Sequence, residues 1–120
     1  MPQFRFGDIV EVEQMLDPKG QNPKIRPALI LTPTAEIAQS ESLVVAAISS
    51  SHIPEKLPEA FVELPFADGG RCKTGLIRRS VVVCTWLEEI SKSRILRKLG
   101  GAPGTAMELV AEFLAKQKSE

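Results

Sequence analysis

Residues 7–13 set apolar Ile9 and Val12 among Asp8, Glu11 and Glu13, an alternation that predicts a half-buried strand. Residues 16–24 gather Pro, Gly, Asn and Asp and read as a loop, because neither a helix nor a central strand tolerates that mixture. A second strand is predicted over residues 26–31, with Pro27 acceptable only near its start or on an edge, since proline donates no ladder hydrogen bond. Pro33 breaks the chain again, and polar residues 36–42 form a connection. Residues 43–48 are then almost continuously apolar and β-branched, a third strand that ends in three serines and the only histidine. Residues 61–64 make a brief peripheral strand, and residues 68–75 a glycine-rich turn carrying basic side chains. The strongest strand pattern covers residues 80–86. Residues 87–90 and 93–99 are ambiguous between strand and helical turn, with Gly100 and Gly101 as a stop. Over residues 106–118 the apolar positions Ala106, Leu109, Val110, Phe113 and Leu114 recur at helical spacing. Thr105 with Glu108 predicts a capping box at the start of that helix, and Lys116 and Lys118 suit the dipole at its end. Five or six short strands followed by one terminal helix indicate a mainly β fold, a small and strongly bent sheet or barrel with the helix covering an opening.

A chain of 120 residues is the size of one domain, and its 43% hydrophobic and 25% charged residues are ordinary globular values. It has no apolar run long enough to span a bilayer and no signal-peptide pattern at the start, so a cytoplasmic location and no membrane contact are expected. Cys72 and Cys84 are too few for a disulfide framework, and no clustered ligand set calls for a metal; neither metal nor other cofactor is expected. The net charge of zero argues against a strongly basic nucleic-acid binder, but it hides a segregation along the chain. Residues 1–70 hold 5 basic and 10 acidic side chains, whereas residues 71–98 hold 8 basic and 2 acidic.

Arg26 is the one charged residue in the second apolar run. Its planar fork of donors stays charged at any workable pH and suits a phosphate, although an arginine there can also snorkel or pair with a carboxylate. Ser49, Ser50 and His52 stand where the third strand leaves the core, a place where side chains can meet a ligand. His52 alone does not make an acid–base pair and reads first as an ordinary loop residue, with a substrate contact and then a catalytic role as the alternatives. Lys19 and Lys24 in the first loop, and Lys73, Arg78 and Arg79 before the fifth strand, are candidate phosphate contacts or solvated charges. Trp86, in a chain with no tyrosine and five phenylalanines mostly in apolar runs, reads first as core or dimer packing, with base stacking as the alternative.

The order of short segments resembles the MazF/PemK family: Gly7-Asp8-Ile9-Val10, Asp17-Pro18-Lys19-Gly20, Arg26-Pro27-Ala28-Leu29, Ala47-Ile48-Ser49, Lys73-Thr74-Gly75-Leu76, Ser80-Val81-Val82-Val83, Lys92-Ser93-Arg94-Ile95 and Leu99-Gly100. The resemblance implies one toxin domain over residues 1–120, an SH3-like small β-barrel with a C-terminal α-helix, and a homodimer. It further implies a metal-independent endoribonuclease that cuts single-stranded RNA with some sequence preference, by 2′-OH attack, leaving 2′,3′-cyclic phosphate and 5′-OH ends. A cognate antitoxin would place a disordered tail in the RNA groove, and DNA would be met only through that antitoxin. Carried over position by position, the catalytic pair falls on Arg26 and Ser49, with serine where the family has threonine. The hydroxyl is kept and the methyl group that restricts χ1 is lost. The RNA-binding set becomes Asp17, Lys19, Lys24, Ser50, His52, Lys73, Arg78 and Arg79, with the loop from Asp17 to Lys24 lying over the substrate. The competing expectation is a noncatalytic barrel of the same shape that binds nucleic acid or a partner peptide.

Overall fold

Side chains alternate across a strand, and in the central strands of this protein both sides of the sheet are buried. The computed structural model describes residues 3–51 and 53–118. Its elements are β1 (Asp8–Met15), β2 (Lys24–Ile30), α1 (Thr34–Ile37), β3 (Ser42–Ser49), β4 (Phe61–Leu64), β5 (Ser80–Ser91), β6 (Ile95–Gly101) and α2 (Gly104–Lys118). All neighbouring strands are antiparallel, in the order β4-β5-β3-β2-β1-β6. One side of the sheet carries Ile9, Leu29, Ala46, Ile48 and Val82, which pack under Ala106, Val110 and Phe113 of α2. The other side carries Val10, Val12, Ala28, Ile30, Val45 and Ala47, enclosed by Leu43, Ile90 and Ile37 and bordered by Phe4, Trp86 and Ile95. No long helix covers this second cluster. The sheet buries it by curling around it, so that Val10, Val12, Ile30 and Val45 have no exposed surface.

The curl does not close as a ladder. β4 and β6 are the two ends of the sheet order and do not pair, so the expected barrel is an open six-stranded sheet whose gap is spanned by the segment between β4 and β5. The buried Thr74 hydroxyl donates to the Pro65 carbonyl at 2.7 Å, just past the end of β4, and the Gly101 amide of β6 donates to the Lys73 carbonyl at 2.9 Å. Backbones touch along this seam. A Cβ on Gly75, whose φ is +72°, would lie 2.0 Å from the Leu99 carbonyl oxygen, and one on Gly100 would lie 2.2 Å from that of Lys73. The seam stands across the sheet from the central pair β2 and β3.

The expected elements are present with shifted ends. β5 is twelve residues long and absorbs residues 87–90, because Leu87, Glu88, Glu89 and Ile90 pair with Ala46, Val45, Val44 and Leu43 beyond a register shift. The second ambiguous stretch becomes β6, paired with β1, and its last residues are the glycines expected to stop it. The polar connection after Pro33 contains the single turn α1, anchored by buried Ile37. α2 begins at Gly104, with the Pro103 carbonyl accepting from the amides of Ala106 and Met107. Thr105 is therefore already the second helical residue, and the capping box expected from Thr105 and Glu108 is not the N-terminal device.

Gly75→Ala combines a left-handed φ with a backbone collision, so it is expected to cost at least about 2 kcal/mol, or roughly 10 °C in melting temperature. Gly104→Ala, where no atom lies within 4 Å, serves as the control. Thermal denaturation followed by circular dichroism checks both, and a Gly75→Ala protein melting with the wild type would refute the seam.

Candidate functional site: a held arginine at the β2–β3 strand ends

The first loop is organised by Asp17. Its carboxylate accepts from the Lys19 amide at 3.0 Å, the Gln21 amide at 2.8 Å and Asn22 Nδ2 at 2.8 Å. These bonds, the Gln21 amide foremost and Asn22 next, hold the carboxyl below its ordinary 3.8, with a smaller contribution from the charge of Arg26. Two non-glycine residues near this loop have left-handed backbones, Gln14 at φ 55° and Asn22 at φ 54°. Each turns its carbonyl onto an arginine: Arg94 Nη2 donates to Gln14 at 2.7 Å and Arg26 Nη2 donates to Asn22 at 3.1 Å. Arg26 Nε also donates to the Met15 carbonyl at 3.1 Å, and its Cζ lies 5.1 Å from the centre of the Trp86 ring. The guanidinium is thus fixed from three directions, by two carbonyls and an indole face, while Nη1 and one Nη2 hydrogen have no partner among the described residues.

Ser49 stands in the facing strand. The β2–β3 ladder ends at the pair Ala28 and Ala47, and Arg26 and Ser49 lie two residues beyond it on their own strands, on the side of the sheet that carries Ala28 and Ala47. Pro27 lies in this last stretch and has no amide to extend the ladder. The Ser49 hydroxyl donates to the Ser51 carbonyl at 3.0 Å and accepts the Ser51 amide at 3.4 Å, a local turn that orients it at the strand end. Ser49 also pairs with Val81 of β5, which brings Arg78 and Arg79 to the same end of the sheet as Ser49 and the exposed Ser50. Arg79 is bonded to Glu63 at 2.9 Å, and Lys19 and Lys24 are exposed at the loop and at the start of β2.

The expected set is therefore split. Arg26, Ser49, Ser50, Lys19, Lys24, Arg78 and Arg79 gather at one end of the β1, β2, β3 and β5 group. Asp17 belongs to the same loop, but its carboxylate is spent on the loop's own donors and serves as a scaffold. Lys73 does not join them: its main chain builds the seam on the far side of the curl. His52 lies outside the described residues. The basic stretch over residues 71–98 is also dispersed, because Arg97 meets Glu11 at 3.2 Å, Lys98 meets Asp8 at 3.4 Å, and Arg94 meets Glu88 at 3.6 Å. With Arg79 and Glu63, four of the eight basic side chains of that stretch are ion-paired among the described residues.

Neither cysteine belongs to this site. Cys84 is buried under α2, and burial pushes its thiol up to about 11. Cys72 Sγ is 3.2 Å from the Thr74 hydroxyl at the seam, a bond that lowers the thiol from its ordinary 9.0. Among the described residues no three His, Cys, Asp or Glu side chains converge as metal ligands. A groove of about 310 Å³ opens beside Arg26, between Leu16, Asp17, Pro18 and Gly20 of the loop and 85–88 of β5. A larger cavity, about 1090 Å³, lies elsewhere, between Phe4, Ile37 and Ile95.

Sequence reasoning missed the contacts that hold Arg26. The carbonyls of Met15 and Asn22 carry no residue-specific signal, although an asparagine in a turn is a residue that tolerates the left-handed conformation. Because the folded-state pKa of Asp17 is lowered, the loop's support is complete above about pH 4 and is withdrawn as acid carries the pH through the lowered value. Amide exchange at Gln21 is expected to show this acid step, and Asp17→Asn is expected to lose the protection already at pH 7 and to lack the step.

The chain matches the family model for the PemK-like, MazF-like toxin of type II toxin–antitoxin systems over residues 5–117. No curated relative matches it at significant similarity. Among solved structures, MazF from Deinococcus radiodurans is similar with a TM-score of 0.75 at 20% identity, over 100% of both chains. A MazE–MazF complex from the same organism gives a TM-score of 0.74 at 20% identity, covering 99% of this chain and 98% of the other. The Mycobacterium tuberculosis toxin MazF-mt6 gives 0.63 at 24% identity, over 86% of this chain and 89% of its own. At these identities the solved structures speak for the fold, whereas the family model spans nearly the whole sequence. The chain belongs to the PemK-like, MazF-like toxins of type II toxin–antitoxin systems.

Proposed function

We propose that this toxin is a metal-independent endoribonuclease acting on single-stranded RNA, with Arg26 as its phosphate-binding centre. The observation that carries the reading is the immobilised Arg26 guanidinium, which keeps free donors beside the end of β3 where Ser49 presents a hydroxyl. Structures similar to this one include an endoribonuclease from mycobacterial species, at 15% identity and a TM-score of 0.69. In the proposed reaction the ribose 2′-oxygen attacks the adjacent phosphorus and the bond to the 5′-oxygen breaks. The products are a 2′,3′-cyclic phosphate and a 5′-hydroxyl. The 2′-hydroxyl proton passes to water, since an arginine does not serve as base at its ordinary pKa, and the departing 5′-oxygen is protonated from solvent. Negative charge concentrates on the nonbridging oxygens in the transition state. A donor already fixed in place stabilises that charge without reorganising, and such a group contributes on the order of 3 kcal/mol. Ser49 donates to a nonbridging or leaving oxygen once substrate replaces its bond to Ser51. Lys19, Lys24, Arg78 and Arg79 hold flanking phosphates without reading sequence.

The partners follow from the same reading. The toxin pairs with a protein antitoxin that covers the Arg26 end of the sheet with an extended segment, and meets DNA only through it. It acts as a homodimer. Support for a second copy comes from the apolar surface left open: Phe6, Leu31 and Leu114 line a groove of about 270 Å³, and Val44 and Leu87 are exposed on the same side of the sheet.

RNA incubated with the wild type in EDTA is expected to yield fragments with cyclic phosphate and 5′-hydroxyl ends. Arg26→Ala is expected to slow cleavage by on the order of 100-fold or more with an unchanged melting curve, and Arg26→Lys to recover only part, because a point charge does not replace the fork. Ser49→Thr, which restricts χ1, is expected to cut at least as fast as wild type, and Ser49→Ala more slowly. Binding of RNA without turnover by wild type and Arg26→Ala alike would instead mark a noncatalytic barrel.

A further inference from the structure

The groove beside Arg26 has the shape and chemistry of a nucleobase pocket. Its volume of about 310 Å³ is at the small end for ligand sites, enough for one planar base. Loop residues Leu16, Asp17 and Pro18 form one wall and Trp86 and Glu88 the other. Trp86 is shared: the ring that carries the Arg26 guanidinium also lines the groove, so a base stacked there would be attached to, or next to, the phosphate held by Arg26. Trp86 and Glu88 are two residues apart on β5 and therefore face the same side of the strand.

The polar lining decides what kind of base would fit. The Asp17 carboxylate is occupied by three loop donors. Glu88 is different: its ion pair is a loose one, 3.6 Å from Arg94 Nη1, and a carboxylate has about four acceptor positions. It lines the groove and is half-buried, with 22% of its side chain exposed, a place partly shielded from water. A carboxylate accepts from an exocyclic amine and repels a carbonyl oxygen in the same position. We infer that this groove is a base subsite that prefers a base with an exocyclic amine, cytosine, adenine or guanine, over uracil, with Trp86 as its stacking wall and Glu88 as the residue that discriminates. The inference rests on the RNA-binding reading of the Arg26 site and adds a specificity determinant to it.

Trp86 is the only tryptophan in the chain, which makes its fluorescence a direct readout of the groove. Titration with cytidine 5′-monophosphate and uridine 5′-monophosphate compares two ligands of equal charge and nearly equal size. The wild type is expected to show saturable quenching at a roughly tenfold lower concentration of the cytidine nucleotide, the discrimination that one well-placed amine contact supplies. Glu88→Gln, whose amide also donates to a carbonyl, is expected to bring the ratio near one or reverse it while leaving the melting temperature in place. Equal quenching by both nucleotides in the wild type, no quenching by either, or an unchanged preference in Glu88→Gln would overturn the proposal. Binding is read here without turnover, so an inert enzyme with the base preference intact would count against the catalytic reading alone. RNA cleavage without the base preference would count against this subsite alone.

Discussion

A backbone contact with no room for a Cβ holds this fold in its curled form. Gly75 lies against Leu99, and Gly100 lies against Lys73 and Thr74, so that the segment after β4 is fastened to β6. The seam's apolar side chains, Leu76 and Leu99, pack into the cluster under α2. β1, β2 and β3 carry apolar side chains on both faces, while α2 covers only one. The other face is closed by the curve of the sheet together with Ile37 of α1 and the bordering Phe4, Trp86 and Ile95, and at about 25 cal/mol per Å² of apolar surface a flattened sheet would forfeit the burial of some ten side chains. Thr74, fully buried and bonded to the Pro65 carbonyl, completes the seam with a polar group that has its partners.

Curling the sheet this way fixes where function can be built. The seam occupies one side and the central strands the other, so the ends of β2 and β3 meet the first loop and the start of β5 at a concave rim. At that rim the protein accepts two left-handed residues, Gln14 and Asn22, whose carbonyls are turned onto arginines. Strain of this kind persists where surrounding structure over-determines it, and here Asp17 and Arg94 do so. The result is a guanidinium that is oriented before any ligand arrives. For a reaction whose transition state differs from its ground state mainly in charge, orientation in advance is the contribution a small protein can make.

The architecture was legible because apolar periodicity reports burial directly. Residues 43–48 and 80–86 are strands for the reason that predicted them, and Ala106, Val110 and Phe113 of the expected stripe are the buried face of α2, whereas Leu109 is exposed. The ends were harder. Glu88 and Glu89 looked unlike a strand interior, yet they extend β5 because pairing with Val44 and Val45 overrides their propensity. Closure by a loop could not be read at all, since Lys73 looked like a phosphate contact and only three-dimensional proximity shows its main chain at the seam. At the site, Arg26 stood out as a charge in an apolar run, and its place at the same end of the sheet as Ser49 follows from the antiparallel pairing of two recognisable strands. What holds Arg26 in place did not stand out, because carbonyl oxygens are common to every residue.

The central claim is that a ribose 2′-hydroxyl attacks a phosphate gripped by Arg26. It is tested most directly with an RNA whose cleaved bond is first mapped and whose nucleotide on the 5′ side of that bond is then replaced by its 2′-deoxy form. The account predicts that cutting at that bond stops while the substituted strand still competes for binding. Continued cutting at the deoxy position would contradict it.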